Sequence, residues 1–258
     1  MRILVTNDDG INAMGIAVLE AIARELSDDV WVVAPAEEQS GAGHSLTLTQ
    51  PIRVRRAGER RFAVAGTPTD AVMMALGLLV KGPRPDLILS GVNRGPNLAE
   101  DVTYSGTVSA AMEGTLAGVR SIALSQAMAS YAVGRERFAA AEAMGAEVIR
   151  RIIAADWGNG VLVNVNFPPI DRPRGVRVTE QGFRDYGHIA IEARTDPRGF
   201  PYYWFGYGRE KETPAHRTDL EAVRDGFISV TPLHLDLTHR PSMAALAAAV
   251  EGQAPPAA

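Results

Sequence analysis

Two adjacent carboxylates, Asp8 and Asp9, follow a short apolar segment at residues 2–6 and precede Gly10. Neighbouring carboxylates repel each other, so without a counter-ion one of them should hold its proton more tightly. A hard divalent cation such as Mg²⁺, Mn²⁺ or Ca²⁺ removes this conflict, and it prefers carboxylate, amide and hydroxyl oxygens as ligands. Asp-Asp-Gly by itself also fits a plain turn in which one aspartate caps the next helix.

Two further loops carry oxygen ligands of the kind that such a cation binds. Ser40 lies in the loop after the second predicted strand, and Asn93 lies in the Gly- and Asn-rich loop after the strand that ends at Ser90. Open parallel sheets bind ligands beyond the carboxyl ends of their strands. These segments should therefore meet Asp8 and Asp9 at one rim of the sheet, which favours a metal site over an isolated turn.

The segment Ser105-Gly106-Thr107, at the predicted start of a helix, is suited to binding an anion. Backbone N–H groups and hydroxyls at a helix start can be aimed at a phosphate, and the helix dipole adds positive potential. A serine that only caps the helix uses the same atoms, so both interpretations stay open. Together with Asn97, this segment is the predicted phosphate-binding site.

Several other kinds of site are absent from the sequence. It has no Gly-x-x-x-x-Gly-Lys-Ser/Thr phosphate loop, no Gly-x-Ser-x-Gly elbow and no His-Glu-x-x-His zinc motif. It also has no cysteine, which excludes disulfides, thiolate metal sites and a cysteine nucleophile. His44 lies near the predicted rim, where a lone histidine is more often a solvated or structural residue.

The elements that would position these residues alternate between strand and helix. The hydrophobic spacing predicts strands at residues 2–6, 30–34, 86–90, 121–125 and 161–166, and helices at residues 15–26, 105–117 and 136–154. A hairpin is predicted at residues 52–65, and Thr67-Pro68-Thr69-Asp70 should open a helix that runs to about Val80. This order predicts an α/β fold, a Rossmann-like three-layer α/β/α sandwich with a mainly parallel sheet.

The character of the chain changes after residue 170. Residues 180–220 hold half of the aromatic residues, including the run Tyr202-Tyr203-Trp204-Phe205, but few long apolar segments. We therefore predict a catalytic core at residues 1–170. Residues 171–258 should form C-terminal β-hairpin extensions, a returning strand at 227–231 and a helix at 242–250, without making an independent domain. The aromatic run is typical of a core or a subunit interface.

Charge and hydropathy limit the expected partners. The net charge of −4 over 258 residues gives no general attraction to a nucleic-acid polymer or an anionic membrane. The apolar stretch at residues 243–250 is far shorter than the roughly 20 residues that a membrane-spanning helix needs. The first strand begins at once and leaves no room for a signal peptide. These observations predict a soluble, cytoplasmic protein.

Specific segments resemble a known family along nearly the whole chain. They are Met1-Arg-Ile-Leu-Val-Thr-Asn-Asp-Asp-Gly10, Val33-Ala-Pro35, Ser40-Gly41, Gly66-Thr-Pro-Thr-Asp70, Ser90-Gly-Val-Asn-Arg-Gly-Pro-Asn97, Tyr104-Ser-Gly-Thr-Val-Ser-Ala-Ala-Met-Glu-Gly114, Asn164-Val-Asn-Phe-Pro168 and Ile228-Ser-Val-Thr-Pro-Leu-His234. In this order they resemble the SurE (stationary-phase survival protein) family of 5'/3'-nucleotidases. The resemblance is dense over residues 1–125 and loose over residues 170–225.

The resemblance implies a metal-dependent phosphomonoesterase that hydrolyses nucleoside 5'- and 3'-monophosphates, with short polyphosphate as a further candidate substrate. It also implies a homo-oligomer, a dimer or tetramer, whose C-terminal extensions exchange between subunits. By position, the family's ligands for one divalent cation per subunit fall on Asp8, Asp9, Ser40 and Asn93, and its phosphate-binding segment falls on Ser105, Gly106 and Thr107. Asp8 and Asp9 are then the predicted catalytic residues.

Two other functions remain open from the residues. One is a non-catalytic nucleotide or metal sensor, and the other is a metal-dependent glycosyltransferase that uses a nucleotide sugar. The nucleophile is also open, although the absence of an Asp-x-Asp pattern here favours water over direct attack by Asp8 or Asp9. Gly43-His44, in the loop after Ser40, is a local difference from the family's pattern that concerns loop shape and substrate preference, and not the metal.

Overall fold

A computed structural model describes residues 1–130, 137–185, 189–207, 211–212 and 217–251. The strands are β1 (Arg2–Thr6), β2 (Asp29–Pro35), β3 (Arg53–Gly58), β4 (Arg61–Ala65), β5 (Leu87–Arg94), β6 (Arg120–Gln126), β7 (Val161–Phe167), β8 (Val176–Val178), β9 (Arg184–Asp185), β10 (Ile189–Thr195), β11 (Pro201–Tyr207), β12 (Lys211–Glu212) and β13 (Ile228–His234). The α-helices are α1 (Met14–Arg24), α2 (Pro68–Met74), α3 (Gly106–Leu116), α4 (Ala139–Ala154), α5 (Asp219–Arg224) and α6 (Arg240–Val250).

Nine strands form one sheet in the order β3-β4-β2-β1-β5-β6-β7-β13-β8. The run β4-β2-β1-β5-β6-β7 is parallel throughout. Strand β3 pairs antiparallel with β4, and β13 pairs antiparallel with β7. The carboxyl ends of β1, β2 and β5 therefore lie side by side at one edge of the sheet, as the loops with the candidate site residues require.

Helices cover both faces of this sheet. Side chains alternate along a strand, so Ile3 points into the apolar cluster under α1 and α4, whereas Leu4 points into the cluster under α2 and α3. Both residues are fully buried. The three-layer, mainly parallel α/β/α fold predicted from the strand and helix order is confirmed.

Some boundaries differ from those predicted. Helix α2 begins where expected, with Thr67 and Asp70 forming a capping box, but it ends at Met74 and continues as a π-helical segment, Ala75–Leu79. Gly77, a poor helix former, lies within that segment. Helix α4 begins at Ala139; residue 136, where its start was predicted, lies outside the described part of the chain.

The C-terminal part contributes strands to the same sheet as the core. Strand β13 pairs with β7, and the three-residue strand β8, which the sequence did not predict, pairs parallel with β13 at the edge of the sheet. Strands β10 and β11 form the predicted antiparallel hairpin. Its aromatic side chains are not core in this chain, since Phe205 is 85% exposed. No helix in the described part of the chain is long and apolar enough to cross a membrane.

Candidate functional site

The ends of three strands meet the N-terminus of α3 around Asp8. The backbone N–H of Gln39, in the loop after β2, donates to the carbonyl oxygen of Asp8 at 2.8 Å. The N–H of Arg94, at the end of β5, donates to a carboxylate oxygen of Asp9 at 3.1 Å. The Thr107 hydroxyl donates to the Asp8 carboxylate. The structure thus brings together the loops after β1 and β2, the end of β5 and the predicted phosphate-binding helix start. Asn93 lies within β5, which runs to Arg94, and not in a loop after Ser90 as predicted.

The segment after β1 is a turn, but its aspartates do not cap the following helix. The Asn7 side-chain amide closes the turn by donating to the Gly10 carbonyl oxygen at 2.9 Å. Helix α1 begins after Ala13, which makes no side-chain capping hydrogen bond. Asp8 is instead held at the sheet edge with 4% of its surface exposed. The capping role that the sequence left open for Asp8 and Asp9 is therefore wrong.

Burial and nearby negative charge disfavour ionisation of both carboxylates. Burial raises the pKa of Asp8 above its ordinary value, although the hydrogen bond from Thr107 opposes this shift. Burial and then the negative charge of Asp8 raise the pKa of Asp9 to about 6, with the hydrogen bond from the Arg94 N–H opposing. Glu38 raises the pKa of both groups further. A cation beside the pair would relieve this repulsion.

The neutral side chains near this pair can supply oxygen ligands. The Ser40 hydroxyl is exposed and donates to the Glu38 carboxylate at 2.8 Å. The Asn93 amide nitrogen donates to the Gly95 carbonyl oxygen at 2.9 Å, which leaves its own carbonyl oxygen as the atom suited to a cation. Two carboxylates, a hydroxyl and an amide carbonyl fit a hard divalent cation such as Mg²⁺, Mn²⁺ or Ca²⁺.

The start of α3 lies in direct contact with Asp8. Ser105 caps the helix, its hydroxyl oxygen accepting a hydrogen bond from the Val108 N–H at 3.0 Å. Gly106 has no side chain, and a Cβ added there would lie 2.8 Å from the Cβ of Asp8 and 3.1 Å from a ring carbon of Pro68. Glycine therefore allows the positive end of the helix to approach the carboxylate closely. Capping by the Ser105 hydroxyl is established, and anion binding by the backbone remains a prediction.

Asn97 is fixed within the protein rather than pointing freely into the site. Its N–H donates to the Asn166 side-chain oxygen at 2.8 Å, and its side-chain nitrogen donates to the Ser125 hydroxyl at 2.8 Å. Its carbonyl oxygen accepts from the side chains of Asn164 and Asn166 at 2.8 and 3.1 Å. Asn97 thus ties the loop that leads into α3 to strands β6 and β7, a role that the sequence did not predict.

The loop that carries Ser40 is fastened to α2 by Asp70. The Asp70 carboxylate accepts hydrogen bonds from the Thr47 N–H at 3.0 Å, the Thr47 hydroxyl at 2.6 Å and the Thr67 N–H at 2.8 Å. Burial acts to raise the pKa of Asp70, but these hydrogen bonds outweigh it, so the pKa lies below its ordinary value of 3.8. The ionised form is therefore the one that holds the loop.

Replacing Asp70 with asparagine should destabilise the protein in a pH-dependent way. Because the pKa of Asp70 is lowered on folding, its contribution is fully present above 3.8 and is lost as pH falls through the folded-state pKa. We expect Asp70→Asn to lower the free energy of unfolding by about 1 to 2 kcal/mol at neutral pH. Urea unfolding of both proteins should give a difference that shrinks below about pH 4. A pH-independent difference would contradict this assignment.

Three features of the site were not predicted from the sequence. They are the pairing of Thr107 with Asp8 rather than with a ligand, the backbone contact from Arg94 to Asp9, and the negative charge of Glu38 near both aspartates. Loop residues such as Glu38 carry no periodic signal. Their position, one or two residues from a predicted ligand, was the only available indication.

Comparison with known proteins agrees with the motifs. A family model described as "Survival protein SurE" matches residues 3–188. A protein named 5'-nucleotidase SurE from Rhizorhabdus wittichii is 61% identical over 251 residues, which cover 96% of this chain and 99% of the relative. A protein of the same name from Erythrobacter litoralis is 60% identical over 240 residues, 92% of this chain and 95% of the relative.

A solved structure shows the same fold. The crystal structure of the SurE protein from Aquifex aeolicus superposes with a TM-score of 0.81 and 37% sequence identity, covering 96% of this chain and 98% of the other. The sequence match and the structural match both extend over nearly the whole chain. The chain belongs to the SurE family.

Proposed function

We propose that this protein is a divalent-metal-dependent phosphomonoesterase that hydrolyses nucleoside 5'-monophosphates to nucleoside and phosphate. Relatives that are 61% and 60% identical bear the name 5'-nucleotidase SurE, which supports this activity. The observation that carries the proposal is the buried Asp8 carboxylate, which lies between Asp9 and the positive end of α3. Nucleoside 3'-monophosphates and short polyphosphate are further proposed substrates.

In this proposal Asp8 and Asp9 supply most of the negative charge that binds one divalent cation, and Ser40 and Asn93 complete its protein ligands. A bound cation of this kind polarises a phosphoryl oxygen and lowers the pKa of water. The hydrogen bond from Thr107 keeps the Asp8 carboxylate in one orientation. Since both aspartates are committed in this way, water is the proposed nucleophile.

The start of α3 serves the phosphate in this proposal. Backbone N–H groups at Gly106 and Thr107 begin the helix directly beside Asp8. An anion near a helix start is stabilised by these N–H groups and by the helix dipole. Donors already in place where negative charge develops stabilise a transition state without reorganisation. The Ser105–Thr107 segment would therefore bind the phosphoryl oxygens.

The exposed aromatic hairpin supports a proposal about assembly. Trp204 and Phe205 are 59% and 85% exposed, which is unusual for large apolar side chains on the surface of a monomer. We propose that β10 and β11 contribute to a homo-oligomer, a dimer or tetramer. We further propose that the protein acts in the cytoplasm on small molecules, with neither a nucleic-acid polymer nor a membrane as its partner.

Removal of divalent metal should abolish phosphate release. We expect protein that has been treated with a chelator and desalted to lose nearly all activity toward nucleoside 5'-monophosphates, because two uncompensated carboxylates then face the phosphate. Adding back Mg²⁺, Mn²⁺ or Ca²⁺ should restore it. The measurement is phosphate release from a panel of nucleoside 5'- and 3'-monophosphates and short polyphosphate.

The same assay separates the alternative functions. A nucleotide or metal sensor would release no phosphate from any member of the panel with any metal. A glycosyltransferase would turn over only a nucleotide sugar in the presence of an acceptor sugar. Undiminished phosphate release by protein whose metal content has been shown to be negligible would contradict the proposed metal dependence.

A further inference from the structure

One residue in the loop between Asn97 and α3 has a backbone conformation that its side chain disfavours. Ala99 has a φ of 53°, in the left-handed region, and it is fully buried. This conformation costs a residue with a Cβ roughly 1 to 2 kcal/mol, whereas glycine adopts it freely. The surrounding protein must therefore hold Ala99 in place.

The groups that hold Ala99 come from the C-terminal part of the chain. The Asp219 carboxylate is fully buried and accepts a hydrogen bond from the Ala99 N–H at 2.8 Å. Its other oxygen accepts from the N–H groups of Gly182 and Leu220, each at 2.8 Å. The Gln181 side chain donates to the Ala99 carbonyl oxygen at 2.9 Å. Both polar backbone groups of Ala99 are thus bound by residues far away in the sequence.

Neighbouring contacts fix the rest of the loop. The Arg184 guanidinium lies 3.1 Å from a Glu100 carboxylate oxygen and 2.8 Å from an Asp101 carboxylate oxygen. The backbone N–H of Arg184 also donates to the Glu100 carboxylate at 2.9 Å. On the other side, Asn97 is bound to β6 and β7. The loop is therefore held from both sides just before the chain enters α3 beside Asp8.

We propose that Asp219 is a positioning residue for the reaction. By holding Ala99 in the left-handed conformation, it sets the path of the loop that places Asn97 and the start of α3 relative to Asp8. The proposal rests on the proposed function of that site. The hydrogen bonds that the Asp219 carboxylate accepts come from backbone N–H groups outside the metal-ligand loops. Loss of the carboxylate should therefore weaken phosphate binding and leave cation binding unchanged.

The direct test replaces Asp219 with asparagine. An amide has one acceptor oxygen, so it cannot accept hydrogen bonds through both oxygens as the carboxylate does. We expect Asp219→Asn to lower kcat/KM for a nucleoside 5'-monophosphate about tenfold and to weaken inhibition by inorganic phosphate. The affinity for Mn²⁺, measured by calorimetry without substrate, should stay that of the wild type.

A second substitution tests the mechanism. If Asp219 acts by holding Ala99, then Ala99→Gly should recover most of the activity lost in Asp219→Asn, because glycine adopts the left-handed conformation without help. Ala99→Gly alone should remain close to wild type. A double variant that is no better than Asp219→Asn would overturn the proposal.

Val230→Ala is the matched control for general loss of stability. Val230 lies in the same C-terminal part, but its side chain packs in the cluster under α1 and α4. We expect it to lower the melting temperature without changing kcat/KM per folded protein. If Asp219→Asn and Val230→Ala are equally destabilised and have the same kcat/KM per folded protein, the positioning role of Asp219 is wrong.

Should Asp219→Asn fail to fold, Gln181→Ala provides a second test. It removes the other contact to Ala99 and should lower kcat/KM by less than Asp219→Asn.

Hydrogen exchange separates this inference from the proposed function. Without any substrate, we expect the backbone amides at residues 98–105 to exchange faster in Asp219→Asn than in the wild type, and those at residues 3–9 to exchange at the same rate. Faster exchange there in a protein that releases no phosphate would uphold the role of Asp219 in fixing the loop and contradict the proposed function. Unchanged exchange together with unchanged kinetics in an active enzyme would overturn the role of Asp219.

Discussion

Asp8→Asn is expected to reduce phosphate release more than about 100-fold while the protein stays folded. Replacing a residue that only orients a metal ligand lowers metal affinity or activity 10- to 100-fold, so loss of a charged ligand should lower activity further. Asparagine keeps the shape of the side chain and can still accept the hydrogen bond from Thr107. Because the buried carboxylate is costly to ionise, the neutral side chain should not lower the melting temperature.

Asp28→Asn is a suitable control for the change of charge. Asp28 is exposed and precedes β2, at the end of the strand opposite to the candidate site. The Asp28→Asn variant should retain full activity and full Mn²⁺ affinity, whereas Asp8→Asn should lose both. Phosphate release and calorimetric Mn²⁺ titration measure the two quantities. Wild-type turnover by Asp8→Asn would refute the assignment of Asp8.

Among the substitutions, Gly106→Ala is expected to have the second largest effect on activity, a loss of about 100-fold, without adding or removing charge. The added Cβ would lie 2.8 Å from the Asp8 Cβ and 3.0 Å from an Asp8 carboxylate oxygen, so the helix start and the carboxylate must move apart. A displacement of about 1 Å at a catalytic group can cost 10²-fold in rate. Steady-state kinetics and a crystal structure of the variant would show the loss and the displacement.

Gly77→Ala provides the matched control for adding a methyl group to a helical glycine. A Cβ at Gly77 would meet no atom within 4 Å. This variant should keep wild-type kinetics, and its melting temperature should be equal or slightly higher, because alanine is the better helix former. If Gly106→Ala retained the kinetics of Gly77→Ala, close contact between α3 and Asp8 would not matter for the reaction.

The fold could be predicted because its buried strands have a strong sequence signal. Strand β1 contains the apolar run Ile3–Val5, which is buried on both faces, and β7 ends where Pro168 follows Phe167. Strand β8 could not be found in this way, since its three residues are all exposed and pair with β13 at the edge of the sheet. Helix α5, with six residues, is too short for a helical period to show.

The convergence of the candidate site was predictable for a different reason. Asp8, Ser40 and Asn93 each follow a predicted parallel strand, and the ends of such strands meet at one edge. The contacts that orient these residues were not predictable. Ala99 and Asp219 are 120 residues apart, and neither lies on a periodic element that would reveal the pairing. Side-chain partners within loops depend on the folded backbone and leave no local pattern.

The position of β13 in the sheet has a consequence for biosynthesis. Strand β7 is complete at Phe167, but its partner β13 spans Ile228–His234, so about 60 further residues must leave the ribosome before the pair can form. Until then the nascent chain carries an apolar strand with one edge of unpaired N–H and carbonyl groups, which is a surface prone to aggregation. A ribosome stalled within this interval would present such an edge, and a chaperone that binds extended apolar strands would have its target there.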